Sequence, residues 1–277
     1  MKHALSSLQT HSAVLKSTSL VLLICITNWY DKEDASVGEQ IQIQSVRTRL
    51  LREMKEGAYR YSGKLPPEGI LAERLSISRT QLRDSLAQLE REGFISRHQG
   101  VGTVINRHVL AVSVRMDMEI EFMQMIAQSG HEPSLLSTAH DLVPAGDAVA
   151  EKLAISPKDT VLKVVRLIGA DGKPAIYCED YIPTMLIKKK EYTEQDLQKP
   201  IFSFLKQFCG LEPHMDLTEV RPAVADDAMA STFCVPTGTP LLYLDELDYD
   251  KEGMPMLYSP QYYIGGVIQH TMLRMKF

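Results

Sequence analysis

The sequence predicts an α+β protein in two parts, a small helical module closed by a β-hairpin and then an antiparallel sheet domain carrying helices. Three observations predict it: three amphipathic helices followed by a Gly-rich hairpin between residues 40 and 107, an internal repeat at an offset of about 80 residues in the second half, and a change of charge between the halves. A chain of 277 residues is long enough for two domains, each with its own core. With 44% hydrophobic and 23% charged residues, its composition favours neither a largely disordered chain nor an integral membrane protein.

Residues 39–107 hold 12 Lys and Arg against 8 Asp and Glu, whereas residues 108–277 hold 15 against 24. A basic first module and an acidic second part suit a polyanion-contacting region followed by one that stays off the phosphates. Cys25, Cys178, Cys209 and Cys234 are widely spaced and read as reduced thiols, and neither they nor the histidines show metal-ligand spacing. No metal and no cofactor are expected.

Residues 1–38 form an unassigned extension with one apolar run, Leu20 to Ile26. Seven residues cannot span a bilayer, which needs roughly 20. No small-residue cleavage site follows the run, so the segment is taken as a dispensable extension or an upstream start rather than a membrane or targeting element.

From Gln40 to Glu56, Ile43, Val46, Leu50 and Met54 share one helical stripe, and Gly57 ends the helix. Leu65-Pro66-Pro67-Glu68 opens a second helix that buries Leu71, Ala72 and Leu75. After the turn Ser76-Ile77-Ser78, the spacing of Ser78 and Gln81 fits a capping box for a third helix with Leu82, Leu86 and Leu89 inward. Arg79, Thr80, Gln81 and Arg83 occupy the first turns of that third helix, the part that enters the major groove when such a helix docks on DNA. Arg can pair with guanine, Gln with adenine, and a Thr methyl can pack on thymine; taken alone, the same side chains would serve equally as a solvated face. Two β-type runs, Gly93 to Arg97 and Thr103 to Ile105, then flank Gln99-Gly100-Val101-Gly102, the tip of a hairpin or wing.

Leu65 through Val104 resembles the DNA-binding domain of the GntR family of transcription regulators, through Leu-Ala-Glu-Arg-Leu, Ile-Ser-Arg-Thr-Gln-Leu-Arg and Gln-Gly-Val-Gly-Thr-Val-Ile at the family's offsets. The resemblance implies a winged helix-turn-helix over residues 39–107 that contacts operator DNA through Arg79, Thr80, Arg83, Gln99 and Gly100. The family usually has Ser-Glu-Arg after Leu-Pro, its Arg touching DNA; here Pro67-Glu68-Gly69 stands instead, and that contact is lost.

In the second half, Ala148, Ala150, Leu153, Ile155, Val161, Leu162 and Val164 align with Ala228, Ala230, Phe233, Val235, Leu241, Leu242 and Leu244. Each copy reads as helix, loop, strand, Gly turn, strand, which suggests an antiparallel sheet covered on one side. Polar groups inside the repeats, Arg166, Glu179, Tyr181, Glu246 and Tyr258, are the candidate effector-binding residues; a structural ion pair of Arg166 with a repeat carboxylate is the competing reading. The region is similar to the UTRA effector-binding domain of the HutC branch of the family. That implies a chorismate lyase-like fold over residues 108–277 and a homodimer on a two-fold operator. Arg166 matches the first Arg of an Arg-x-Arg that grips anionic effectors in phosphosugar-sensing relatives, but the second is Ile168, and a Glu found in those relatives is replaced by Leu257. The resemblance thus favours a less charged or mono-anionic effector over a sugar phosphate.

The resulting expectation is a cytoplasmic, ligand-responsive regulator, a repressor released from its operator by a small molecule, with no membrane partner. Two alternatives stand beside it, a lyase-like enzyme fused to a DNA-binding module and a DNA-binding protein that senses nothing. No nucleophile elbow, metal cluster or carboxylate–His pairing supports the enzyme. Lys188-Lys189-Lys190 is read as a solvated loop.

Overall fold

The computed structural model describes residues 38–275; the N-terminal extension with its apolar run lies outside them. The chain divides into two compact units after Leu110.

The first unit begins with α1 (Gly38–Lys55), whose Val46, Leu50 and Met54 are buried. Helix α2 (Glu68–Leu75) buries Leu71, Ala72 and Leu75, and α3 (Arg79–Arg91) buries Leu82, Leu86 and Leu89, as the spacing predicts. The turn between α2 and α3 passes through Ser76 at φ 55°, a left-handed position, and ends at Ser78. The Ser78 side chain accepts from the Gln81 N–H while Gln81 Oε1 accepts from the Ser78 N–H, the reciprocal cap that starts α3. Arg47 fastens α1 to the end of α3 through two 2.9 Å bonds to Glu92. The wing is β1 (Ile95–His98) paired antiparallel with β2 (Gly102–Ile105). Residues 63–65 lie along its other edge, with Leu65 N donating to Thr103 O at 2.9 Å and Ile105 N to Gly63 O at 2.9 Å. The short α4 (Arg107–Leu110) closes the unit, and the Arg107 guanidinium caps the carbonyls of Met54, Tyr59 and Ser62.

The second unit starts with β3 (Val114–Arg115) and α5 (Phe122–Gln128). Each repeat then contributes three strands around one helix. The first copy is β4 (Pro133–Pro144), α6 (Gly146–Leu153), β5 (Thr160–Ala170) and β6 (Lys173–Pro183). Between the copies run the short helices α7 (Glu194–Leu197) and α8 (Ile201–Phe204), the latter continuing as one π turn to Cys209. The second copy is β7 (Met215–Val224), α9 (Asp227–Phe233), β8 (Pro240–Tyr249) and β9 (Pro255–Ile264), and β10 (His270–Thr271) pairs parallel with β3. The six long strands form one sheet in the order β4-β5-β6-β9-β8-β7, so the two copies meet at β6 and β9 in a pseudo-two-fold. The repeat extends to backbone detail: α6 and α9 both end on a left-handed residue other than Gly, Ala154 at φ 52° and Cys234 at φ 55°.

The sheet is covered on both faces, not on one. One face carries α6 and α9, which bury Ala150, Leu153, Ala230 and Phe233 against Val161, Leu241 and Leu247. The other carries α5 and the segment between the copies, which bury Ile126, Leu197, Phe204 and Phe208 against Leu162, Val164, Ile168 and Ile176. Two-sided burial explains why β5 reads as a nearly continuous apolar run rather than as alternation. The edge strands β4 and β7, rich in Ser, Thr and charge and mostly exposed, carry no such run and escape the sequence pattern. Of the cysteines within the described residues, Cys178 and Cys209 are buried and Cys234 is exposed, all as free thiols.

Candidate functional site

Two sets of candidate side chains stand out, one in each unit. In the first, Arg79, Thr80 and Arg83 on α3 and Gln99 and Gly100 at the wing tip are all exposed. Arg83 Nε donates to Glu68 Oε2 at 2.7 Å, an exposed pair that a phosphate or base can displace at little cost. The Arg79 guanidinium lies close over α2, its Nη2 3.5 Å from where a Cβ on Gly69 would sit. Lys64 Nζ donates to Val101 O at 3.0 Å and braces the wing tip. Arg97 is held on the wing by Glu90, at 2.7 Å. Gln81 differs from its neighbours: its Oε1 accepts from both the backbone N–H and the hydroxyl of Ser78, each at 3.1 Å, so both lone pairs serve the helix cap.

In the second unit a cavity opens on the sheet face covered by α5. Its wall includes Met116, Glu119, Glu121 and Phe122 from the segment entering α5, and Arg166, Asp180, Ser259, Gln261 and Tyr263 from the sheet. Arg115, Asp216, Thr218, Glu246 and His270 complete the polar lining. A buried chain of bonds crosses the floor. Arg166 donates to Asp180 Oδ2 through Nε at 3.1 Å and Nη2 at 2.6 Å, and Asp180 Oδ1 accepts from Ser259 Oγ at 2.8 Å. Gln261 Nε2 donates to Ser259 Oγ at 3.3 Å, and Tyr263 OH to Gln261 Oε1 at 2.5 Å. The Arg166 guanidinium also lies 5.5 Å over the Phe122 ring. The Asp180 charge beside it holds the Arg166 pKa above its ordinary value although burial opposes this.

Of the five residues the sequence nominates for this domain, Arg166 and Glu246 share the cavity, while Glu179, Tyr181 and Tyr258 project from the opposite face. There Glu179 accepts from Tyr177 OH at 2.6 Å and Tyr181 OH at 2.5 Å and pairs with Lys163 at 3.0 Å, and the Tyr181 and Tyr258 rings stack at 5.9 Å. Sequence reading missed Asp180, Asp216, Ser259 and Gln261. All four lie on the face shared by Arg166 and Glu246, which strand register alone decides.

Residues 42–105 match the family model of bacterial regulatory proteins of the gntR family, and residues 128–267, about half of the chain, match that of the UTRA domain. The chain belongs to the GntR family and carries a UTRA domain. It is a ligand-responsive, DNA-binding transcription regulator of that type. Among GntR-type relatives, the HTH-type transcriptional regulator RB1450 of Rhizobium meliloti is 26% identical over 221 residues, covering 78% of this chain and 88% of that protein. The HTH-type transcriptional regulator YurK of Bacillus subtilis is 28% identical over 148 residues, covering 52% of this chain and 57% of YurK. The crystal structure of YydK from Bacillus subtilis shares the fold, with a TM-score of 0.69 at 18% identity over 84% of this chain and 99% of YydK. No helix among the described residues is long and apolar enough to cross a membrane.

Proposed function

We propose that this GntR-type regulator is a cytoplasmic homodimeric repressor. Residues 39–107 bind a two-fold operator, and residues 108–277 bind the effector and dimerise. The third helix reads the major groove through Arg79, Thr80 and Arg83, with Gln99 and Gly100 at the wing tip on the backbone or minor groove. Gln81 acts through the cap rather than on a base. The observation that carries this reading is the joint exposure of these residues on the wing tip and on a capped helix that buries Leu82, Leu86 and Leu89 on its other face. The apolar residues exposed on the edge strand β7, Met215, Leu217, Val220 and Val224, support a second copy as partner of that edge.

The effector site in this reading is the sheet cavity. Its occupant releases the operator by preferring the DNA-incompetent arrangement, since equal affinity for both arrangements would shift nothing. Selection from a random duplex library with the full-length protein is expected to return an inverted repeat with half-sites about one helical turn apart, or a multiple of it. Arg79→Ala and Arg83→Ala are each expected to abolish enrichment. Recovery of an asymmetric site, or undiminished enrichment by either variant, would overturn the assignment.

A further inference from the structure

We propose that the effector is a small organic cation, an amine or guanidine on a short apolar body, received by Glu246 at the inner end of the cavity, with the carboxylate of Asp248 behind it. The inference rests on reading that cavity as the effector site and departs from the mono-anionic ligand that the family resemblance favours.

The first argument is charge. The cavity has two arginines, and both are already answered: Arg166 by Asp180 at 2.6 Å, and Arg115 by Asp117 at 3.1 Å through its Nε. Neither is left with a free charge for an anion. Glu119 and Asp216 stand at the rim and Glu246 lies further in. Asp248 sits directly opposite Asp216 on β7 and Leu257 on β9, and two residues along β8 from Glu246, all three of which line the cavity. Glu119, Asp216, Glu246 and Asp248 are therefore a run of carboxylates with no ion-pair partner among the described residues. Burial, and then repulsion from the neighbouring carboxylates, holds Glu246 and Asp248 well above the usual carboxylate range.

The second argument is unmet hydrogen bonding. Asp248 is 0% exposed, and neither carboxylate oxygen has a partner. Buried polar groups without partners are rare and point to an absent ligand or to function. On the wall itself the unsatisfied group is His270. Burial lowers its pKa, so it is neutral, and it gives a hydrogen bond to the Ile268 backbone. Its Nε2 is buried without a partner, which leaves that nitrogen as an acceptor. Once Glu246 and Asp248 give up their protons, this end of the cavity presents acceptors without matching donors. An ammonium or guanidinium supplies donors and positive charge together, whereas a carboxylate or phosphate ligand would bring further acceptors to a site that already has them.

The third argument is size and shape. The cavity encloses about 80 Å³, room for a handful of atoms when one water needs roughly 10–15 Å³ on the same measure. Phe122, Met125 and Leu244 give it an apolar wall suited to a short hydrocarbon or ring. Among the described residues, no group of three or more His, Cys, Asp or Glu side chains is placed to hold a metal ion, which favours an organic cation over a bare divalent one.

The test is a thermal-shift titration of the full-length protein with n-butylamine, n-butylguanidine, butyrate, n-butyl phosphate and magnesium chloride, a series in which the apolar body is constant and the head group varies. The expected result is a rise in Tm with the amine or the guanidine and none with the anions or magnesium. Glu246→Gln and Asp248→Asn, both isosteric, are each expected to weaken that binding at least ~tenfold, while the exposed Glu252→Gln does not. Unliganded melting curves confirm that each variant is folded. Stabilisation by butyrate or butyl phosphate that Leu257→Trp removes would keep the cavity as the effector site and overturn the cationic assignment. An amine effect unchanged in Glu246→Gln and Asp248→Asn, an equal effect of magnesium, or no shift with either cation would overturn it as well. Amine binding that needs Glu246 yet leaves operator binding unaltered would uphold the chemistry of the cavity and overturn its regulatory role.

Discussion

The guanidinium of Arg79 reaches back over Gly69, so that a side chain added at residue 69 would begin 3.5 Å from Arg79 Nη2. That distance is ordinary van der Waals contact, so the site tolerates a larger residue. In the family pattern an arginine at this position touches DNA, and here Arg79 occupies the adjoining space. Gly69→Arg is expected to strengthen operator binding and to steepen its salt dependence by about 0.9 in the slope of log K against log salt, one additional phosphate contact. Arg79→Ala is expected to weaken specific binding by at least ~tenfold, since a good bidentate base contact is worth roughly 1–3 kcal/mol. Fluorescence anisotropy at several salt concentrations measures both, and an unchanged slope in Gly69→Arg would remove Gly69 from the interface.

Gln81 has two possible employments, and its geometry favours one. Gln81→Glu preserves the capping box, because a carboxylate accepts the same two Ser78 donors. Gln81→Ala removes it and is expected to lower stability by about 0.3–1.5 kcal/mol. Operator base preference is expected to be the same for wild type and Gln81→Glu; a change confined to one base pair would show that Gln81 reads DNA after all.

How far the site was legible in the sequence turns on two β-bulges. The hairpin turn at Asp171-Gly172 pairs Ala170 with Lys173 and Gly169 with Pro174, but the register then slips and Ile168 faces Ile176. Without that slip Arg166 would face Tyr177 and share its side of the sheet with Glu179 and Tyr181. With it, Arg166 faces Cys178 and meets Asp180. The second hairpin slips at the equivalent place, between Asp248 and Tyr249, so Glu246 faces Ser259 rather than Tyr258. Because side chains alternate with a period of two, one extra residue moves a whole strand of polar groups to the other face. Neither Ala175 nor Met256, the extra residues, carries a signal for a bulge. The first unit, by contrast, was readable almost in full, since helical spacing, the cap and the wing are local patterns.

Arg166 was a natural candidate for effector contact by mutation, yet its burial changes what its removal measures. At 4% exposure it is bound to Asp180, itself 1% exposed. Arg166→Ala leaves a buried carboxylate unanswered and is expected to destabilise the second unit by about 3–5 kcal/mol. The paired replacement of Arg166 by Met and Asp180 by Leu is expected to recover most of that loss. Chemical denaturation distinguishes this from an effector-contact role, for which Arg166→Ala would melt like wild type and lose only ligand binding.

Glu246 at the inner end of the cavity and Asp248 behind it give a pH dependence with a definite sign. Asp248 faces Glu246 on its own strand, Asp216 from β7, Asp180 from β6 and Glu119 from the segment before α5; the basic groups on that face are Arg166, Arg115 and His270. Burial, then repulsion from Glu246, raises the Asp248 pKa above its ordinary value. The unfolded chain ionises Asp248 near pH ~4, while the folded protein keeps the proton to higher pH. Its contribution to stability is therefore complete below the unfolded pKa and is lost as pH rises through the folded one. Asp248→Asn cannot ionise and is expected to show a smaller fall in Tm from about pH 5 to about pH 9, ending above wild type at the alkaline end. A cation that displaces these protons should in turn bind more tightly as pH rises, up to the pKa of its own nitrogen. Calorimetric scans across that range decide the matter: parallel curves for wild type and Asp248→Asn would mean that Asp248 titrates as an ordinary, partnered carboxylate, and the crowding argument for a cationic ligand would lose its energetic basis.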